Sequence, residues 1–404
     1  MANLKFKNSS LFIFKYIKLF FFWLGLTLLL GVCCGVLGGL FSKSISLVTE
    51  IRLNNEKLIF LLPIFALLSV LIFKLCRVES FGTGKVFNAA KTEETVPVLL
   101  APAIFIGSVI THLFGGSAGK EGAALQLGGS VSSAFSRIFK LDNNTRQILT
   151  VCGMAGLFSA AFGTGVSAAV FSVEVLRAKN KAVAFIPALT TALIAKATTR
   201  LMGISSEHFE VLDIPEFELK VLLKIAIIGA VCGVVGFLFC YALHFSKKLF
   251  EKYLKNAYLR IFVGSLIIVA LTIIIGTTDY NGSGIGIIEG IFENNAVRPE
   301  AFLIKIIFTA ITVGAGLKGG EIVPTMFIGA SLGATVGGFL NLGTSYSAAA
   351  GLATLFGAVT NCPITAFAIA LELFGDFSLL PLIIPILIGY FLSGKVSLYT
   401  HKKS

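Results

Sequence analysis

A glutamate in a glycine-rich segment carries the strongest chemical signal in this 404-residue sequence. Glu121 lies in the segment 115–129, which reads GGSAGKEGAALQLGG and leads into an apolar run. The glycines leave backbone N–H groups open, and the N-terminus of the predicted helix favours an anion. A carboxylate there can occupy the place of the anion, or take up a proton and leave. Glu121 is therefore predicted to couple anion and proton movement; the alternative is that it only caps the helix, with Lys120 as a solvated flank.

A second glycine-rich segment has the same form. Residues 316–325 read GLKGGEIVPT, and Pro324 is acceptable in the first turn of the helix predicted to follow. We expect the backbone N–H groups of Ile322 and Val323 to face the same point in the middle of the membrane. Glu321 has two open interpretations, because it can serve protons or pair with Lys318.

Two further signals are weaker. Residues 81–86 read FGTGKV and offer a flexible backbone with one hydroxyl, that of Thr83, although such a segment alone is more typical of a plain loop. Tyr399 ends the last apolar run, where a tyrosine is usually an interfacial anchor. The four histidines and seven cysteines show no metal-ligand spacing, so we expect no metal and no cofactor.

The elements that position these residues are membrane helices. Apolar residues make up 56% of the chain and charged residues 13%, whereas soluble proteins carry about 25% charged residues. The net charge of +12 is attributed to cytoplasmic loops, not to nucleic-acid binding. Basic residues flank both ends of the apolar region, which predicts two cytoplasmic termini: Lys5, Lys7, Lys15, Lys18, Lys395, His401, Lys402 and Lys403. We expect no soluble regulatory domain.

The sequence also repeats itself. Sixteen residues separate Phe158 from Glu174, and the same number separates Phe356 from Glu372. The two glycine-rich glutamates, Glu121 and Glu321, lie 200 positions apart. Similarity of this kind can arise by chance between glycine- and alanine-rich helices, but two separate blocks agree. They predict one transmembrane domain, 1–404, built from a first repeat at about 19–203 and a second at about 221–399.

Taken in order, these segments resemble the CLC family of anion channels and anion/proton antiporters, from about residue 20 onward. The resemblance implies an all-α polytopic membrane protein with inverted repeats of tilted and half-membrane helices, assembled as a homodimer with one pore per subunit. Apolar helices in 182–245 and 346–398 are candidates for the dimer interface. It also implies that Glu121 is the gating glutamate. The implied anion-binding positions are Thr83, Tyr399, Gly122, Ile322 and Val323, with Glu321 and Lys120 as auxiliary proton or gating residues.

Departures from the chloride-type pattern point to one branch of that family. Chloride-type members usually read GSGIP where this chain has GTGKV at 82–86, and GREGP where it has GKEGA at 119–123. Their second, internal proton glutamate is matched here by Val175, and Glu321 occupies a position that is usually apolar. These differences resemble the bacterial fluoride/proton antiporters, although some of those carry Met where Thr83 stands.

The function predicted from the resemblance is export of fluoride from the cytoplasm in exchange for inward protons, across the inner (plasma) membrane. Fluoride is small and strongly hydrated, so its site must supply close, strong donors, to which aromatic ring edges can add. The chain has 37 Phe, and the sequence does not say which line the path. The alternatives are a chloride/proton exchanger or a passive chloride channel of the same fold. An intramembrane enzyme or scaffold is disfavoured, because no paired-Asp site is present.

Overall fold

The computed structural model describes residues 2–176, 181–216, 218–293, 297–375, 377–394 and 396–399. Within these ranges the chain forms sixteen α-helices and two short 3-10 helices. The extended pairing in the described chain is a single antiparallel bridge, between Gly119 and Gly320. The predicted all-α membrane fold is confirmed.

The helices fall into two sets of eight in chain order. The first set is α1 Ala2–Asn54, α2 Leu62–Leu75, α3 Thr83–Ala89, α4 Leu100–Leu113, α5 Glu121–Ile138, α6 Asn143–Phe162, α7 Gly165–Glu174 and α8 Lys181–Leu201. The second set is α9 Leu219–Tyr253, α10 Ala257–Ile275, α11 Ile285–Phe292, α12 Ala301–Ala315, α13 Ile322–Phe339, α14 Thr344–Thr360, α15 Pro363–Phe374 and α16 Ile383–Leu392. The 3-10 helices are Glu56–Leu61 and Phe377–Leu382.

Five of the described helices are long and apolar enough to cross a bilayer: Ile17–Asn54, Glu56–Leu75, Leu219–Tyr253, Ala257–Ile275 and Ile322–Phe339. The first four expose much of their apolar surface, as lipid-facing helices do, because lipid tails are as apolar as leucine. The last, α13, is mostly enclosed by protein. Several other apolar helices are shorter than a full span, and such broken elements are tolerated at membrane depth where they line a cavity.

The packing of the first eight helices recurs in the second eight. Helix α5 packs on α6 as α13 packs on α14, and α1 contacts α6 and α8 as α9 contacts α14 and α16. Matching atoms make matching contacts: the Sγ atom of Cys34 lies 3.9 Å from the carbonyl oxygen of Gly153, and that of Cys232 lies 3.9 Å from the carbonyl oxygen of Gly351.

Helices α7 and α15 form a reciprocal, antiparallel pair. The carboxylate of Glu174, at the end of α7, accepts hydrogen bonds from the backbone N–H groups of Ile364 and Thr365 in the first turn of α15. The carboxylate of Glu372, near the end of α15, accepts one from the N–H group of Ser167 in the first turn of α7. Because each helix end caps the start of the other, the repeated glutamates of the sequence mark a two-fold relation in space.

Glycines allow the central helices to approach backbone to backbone. A Cβ atom on Gly128 of α5 would collide with the carbonyl oxygen of Gly153 of α6. At the matching crossing, a Cβ atom on Gly329 of α13 would lie 2.6 Å from the carbonyl oxygen of Gly351 of α14. These close crossings fix the positions of α5 and α13, whose N-termini build the site.

Candidate functional site

The two glycine-rich segments meet at the centre of the molecule. Gly119 and Gly320 exchange two backbone hydrogen bonds of 2.7 Å, which places the N-termini of α5 and α13 side by side. The approach is so close that a Cβ atom on Gly320 would lie 2.7 Å from the Cα atom of Gly122. The first N–H groups of each helix, among them those of Ile322 and Val323, have no partner within their own helix. The structure therefore brings together the segments that the sequence places 200 positions apart.

Glu121 is the first residue of α5, and its side chain is fully buried. Neither of its carboxylate oxygens has a hydrogen-bond partner among the described residues. A carboxylate that only capped its helix would accept bonds from backbone N–H groups, so the capping interpretation does not describe this side chain. An unpaired buried carboxylate is costly, and this cost is typical of a residue that changes its charge or its partner.

Lys120 is not a solvated flank. Its Nζ atom lies 3.5 Å from Glu207 Oε1, and both side chains are largely shielded from solvent. The pair stands beside Glu121 at a cavity of about 270 Å³, which we call the Glu121 cavity. His112, Ser283 and Val323 also line it.

A second cavity of about 420 Å³, the Thr83 cavity, is lined by Thr83, Gln126, Glu321 and Tyr399. Thr83 is the first residue of α3, so the segment begins a helix and is not a plain loop. Its hydroxyl oxygen accepts a hydrogen bond of 3.1 Å from the side-chain nitrogen of Gln126. The hydroxyl proton of Thr83 is therefore left to donate to a guest in the cavity.

Tyr399 lies in the interior and is not an interfacial anchor. Its hydroxyl group is buried and has no hydrogen-bond partner in the part of the chain that the structure describes. Its ring meets the ring of Phe87 edge to face, with centroids 4.8 Å apart, and lies 6.3 Å from that of Phe171. Phe158 and Phe356, the repeated phenylalanines of the sequence, pack on Phe171. These contacts identify an aromatic cluster around Tyr399, which the sequence could not single out among 37 Phe.

Glu321 also lines the Thr83 cavity, one residue before α13 begins. The Nζ atom of Lys318 stands 4.1 Å from the centroid of the Phe73 ring, a cation–π contact. Within the described ranges, the ion pairs are Lys120–Glu207 and one other that involves neither Lys318 nor Glu321. Of the two interpretations of Glu321, pairing with Lys318 is therefore not what the structure has.

Basic side chains outnumber acidic ones by four to three in the lining of the Thr83 cavity. The lining of that cavity includes Lys85, Lys247, Arg260 and Lys318, against the acidic Glu79, Glu251 and Glu321. An excess of one charge sign in a cleft with apolar walls concentrates ions of the opposite sign.

Two buried residues near the site gave no signal in the sequence. Lys305 of α12 is fully buried, and its Nζ atom donates to the carbonyl oxygens of Tyr280 and Gly282, at 3.1 and 2.9 Å. These bonds hold the loop that enters α11 beside the Glu121 cavity. His112 of α4 is 1% exposed and lines the same cavity. The partners of Lys305 lie 25 and 23 residues away in the chain, and the burial of His112 depends on helix packing, so residue spacing could not reveal either residue.

Comparisons with known proteins agree with this geometry. The family model described as "Voltage gated chloride channel" (Voltage_CLC) matches residues 65–394. A chloride/fluoride channel protein of Pseudomonas syringae pv. tomato is 29% identical over 387 residues, which cover 93% of this chain and 85% of that protein. The H(+)/Cl(-) exchange transporter ClcA of Vibrio cholerae is 27% identical over 391 residues, covering 89% and 83%.

Solved structures show the same likeness. The crystal structure of a CLC-type fluoride/proton antiporter superimposes with a TM-score of 0.89 at 31% identity, covering 93% of this chain and 95% of that one. A slow cyanobacterial Cl⁻/H⁺ antiporter shares the fold, with a TM-score of 0.82 at 19% identity, covering 93% and 96%. The family is one of channels and antiporters, not of enzymes. The predicted family is confirmed: this chain belongs to the voltage-gated chloride channel, or CLC, family of anion transport proteins.

Proposed function

We propose that this CLC protein is a fluoride/proton antiporter that exports fluoride from the cytoplasm in exchange for inward protons. The observation that carries the proposal is the buried carboxylate of Glu121, unpaired at the point where the N-termini of α5 and α13 meet. A fixed anion beside free N–H donors is a built-in competitor for a mobile anion. Protonation removes its charge and opens the place to the substrate.

The donors of the proposed anion path come from three parts of the chain. Backbone N–H groups of Gly122, Ile322 and Val323 supply the helix ends, and the hydroxyls of Thr83 and Tyr399 supply the Thr83 cavity. The two hydroxyl protons are free to donate, since Thr83 already accepts from a neighbour and Tyr399 has no partner in the described residues. Such donors can replace the hydration of a small anion. Lys120 and Glu321 are auxiliary in this scheme, at the two ends of the path.

Two features favour fluoride as the substrate. The solved fluoride/proton antiporter is 31% identical to this chain, whereas the cyanobacterial chloride/proton antiporter is 19% identical. Val175 stands where chloride-type exchangers carry an internal proton glutamate, and Glu321 adds a carboxylate at a usually apolar position. The second candidate, a chloride/proton exchanger or chloride channel, is favoured by the names of two curated relatives, a chloride/fluoride channel protein and the H(+)/Cl(-) exchange transporter ClcA.

The proposed setting is the inner (plasma) membrane, with one domain of two repeats spanning it. The basic end of α9 contributes Lys247 to the Thr83 cavity, which supports placing that cavity towards the cytoplasm. Glu207, from the acidic stretch 207–218, stands at the Glu121 cavity, which supports an outward position. The basic C-terminal residues Lys395, His401, Lys402 and Lys403 lie outside the described residues.

A homodimer with one path per subunit is the proposed assembly. Apolar side chains exposed on α8, α9 and α16 include Ile186, Leu223, Phe237 and Phe391. Such side chains can face lipid or a second copy of the chain, so exposure by itself does not distinguish the two. Crosslinking in native membranes tests the assembly: capture of single subunits only would exclude the dimer.

The experiment that tests the function is ion exchange in reconstituted liposomes. Vesicles loaded in turn with fluoride and chloride, clamped at zero voltage, are followed with an anion electrode and a pH dye. We expect a fluoride gradient to drive proton uptake, and a chloride gradient to drive much less. Equal coupling to chloride would favour the chloride exchanger, and anion flux without proton movement would favour the channel.

The variant Glu121→Gln tests whether proton coupling depends on the charge of Glu121 or only on the size of its side chain. The amide keeps the volume of the side chain but cannot change its charge, so proton uptake is expected to vanish. Anion flux is expected to stop as well in an antiporter, where both steps share one side chain, and to persist or rise in a channel. Proton uptake at the wild-type rate in this variant would defeat the mechanism.

A further inference from the structure

His112 is a buried titratable residue that the scheme above does not use. It lies on α4, is 1% exposed, and contributes to the lining of the Glu121 cavity. No glycine-rich motif contains it, and its neighbours at the cavity come from other helices.

One hydrogen bond fixes which nitrogen of the ring carries hydrogen. The Nδ1 atom of His112 lies 2.8 Å from the carbonyl oxygen of Ser108, one turn earlier in α4. A carbonyl oxygen only accepts, so Nδ1 must carry the hydrogen and donate it. The Nε2 atom then holds a free lone pair, and it has no partner among the described residues.

His112 and Glu121 line the same cavity. Both oxygens of Glu121 and the Nε2 atom of His112 are acceptors, and all three are buried without a donor in the described chain. Acceptors of this kind complement each other only when a proton or a water molecule stands between them. A cavity of about 270 Å³ has room for several waters at roughly 30 Å³ each.

Charges of both signs surround the imidazole. The positive charges that act on it belong to Arg52 of α1, Lys120 before α5 and Lys305 of α12. The negative charges at the cavity belong to Glu50, Glu121 and Glu207. Charged side chains of both signs therefore stand at or near the cavity that His112 lines.

We propose that His112 is the proton relay between the water of the Glu121 cavity and the carboxylate of Glu121. A hydronium ion in the cavity gives its proton to Nε2, which leaves water and an imidazolium ion. The proton then passes from Nε2 to a Glu121 oxygen, directly or through one water, which leaves a neutral imidazole and a neutral carboxylic acid. The Nδ1–H bond to Ser108 stays intact throughout. This inference rests on the proposed proton-coupled transport.

His112→Asn tests the relay with little change in structure. The asparagine amide can still donate to the Ser108 carbonyl from near the position of Nδ1, but the chain loses the proton-accepting nitrogen. Positioned proton donors accelerate a transfer step by about 10²–10⁴-fold, so we expect proton-coupled fluoride export to fall by roughly tenfold or more. The deficit is expected to grow as the pH rises and hydronium becomes scarce. Fluoride binding to the detergent-solubilised protein, measured by calorimetry, is expected to stay unchanged, as is export by the matched control His208→Asn, which changes an exposed histidine.

Chemical rescue of His112→Ala decides between a relay and a space-filling ring. Imidazole added to the vesicles is expected to restore export, whereas pyrazole, similar in shape but too weakly basic to carry the proton, is not. Equal rescue by both rings, or a wild-type rate and pH profile in His112→Asn, would overturn the relay. If His112→Asn does not fold, the rescue comparison alone decides. Absence of proton movement in the wild-type protein would instead refute the proposed function.

Discussion

Glu174 and Glu372 are the repeated glutamates of α7 and α15, and replacing them tests whether their role is to cap helices. Replacing Glu174 by Ala removes three hydrogen bonds at the N-terminus of α15. They come from the N–H groups of Ile364 and Thr365, at 3.1 and 2.8 Å, and from the hydroxyl of Thr365, at 2.6 Å. Loss of a helix cap usually costs about 0.5–2 kcal/mol, and a charged acceptor places this one near the upper end, at about 2 kcal/mol.

The matching change, Glu372→Ala, is expected to lower the free energy of unfolding slightly more than Glu174→Ala does. Glu372 caps α7 through Val166 and Ser167, and it also stands 3.7 Å from the ammonium group of Lys196. That pair is partly exposed, so it adds less than about 1 kcal/mol. Glu174→Gln retains one acceptor oxygen, so its free energy of unfolding is expected to fall by about half as much as that of Glu174→Ala.

Thermal unfolding in detergent measures these losses, and the liposome assay measures coupling in the same variants. We expect midpoints lowered by about 1 °C for each kcal/mol lost, with proton coupling retained, because neither carboxylate lines the Thr83 or the Glu121 cavity. An unchanged midpoint in Glu174→Ala would refute the capping role. Lost coupling at unchanged stability would show that Glu174 belongs to the proton path.

Two further predictions concern packing and capping. Gly128→Ala is expected to force α5 away from α6, because the new Cβ would lie 2.9 Å from the Cα atom of Met154, and to destabilise by about 1–3 kcal/mol. The matched control Gly338→Ala has no neighbour within 4 Å and is expected to be neutral or slightly stabilising, so equal unfolding midpoints for the two variants would contradict the close crossing. Asp142, on the exposed segment before α6, accepts from the hydroxyl and backbone N–H of Thr145, which hold its pKa below the usual value of 3.8. A carboxylate with a lowered pKa stabilises the folded state at pH values above its unfolded-state pKa. Asp142→Ala is therefore expected to lower the free energy of unfolding by up to about 1 kcal/mol at neutral pH, and by less as the pH falls below about 4. A loss of stability that does not shrink in acid would contradict the charged cap.

The amino-acid sequence by itself was enough to identify a membrane protein and its family, and to predict that Glu121 is the gating glutamate. Composition sufficed for the first, since a chain with so few charged residues cannot cover a water-exposed surface. The glycine-rich segments around Glu121 and Glu321 sufficed to identify the family, because a flexible backbone followed by an apolar helix can be recognised from consecutive residues. The repeated glutamates Glu174 and Glu372 also indicated duplication, although not their mutual capping.

Only the tertiary structure decided which groups meet. The sequence left open whether Lys120 is solvated, whether Lys318 pairs with Glu321 and whether Tyr399 anchors the membrane surface, because each outcome depends on residues from distant helices. The fold pairs Lys120 with Glu207, sets Lys318 against an aromatic ring and encloses Tyr399 among phenylalanines. The burial of His112 near Glu121 likewise cannot be inferred from residue spacing. A histidine on an apolar helix has the same local sequence pattern whether it faces lipid, the protein core or a cavity.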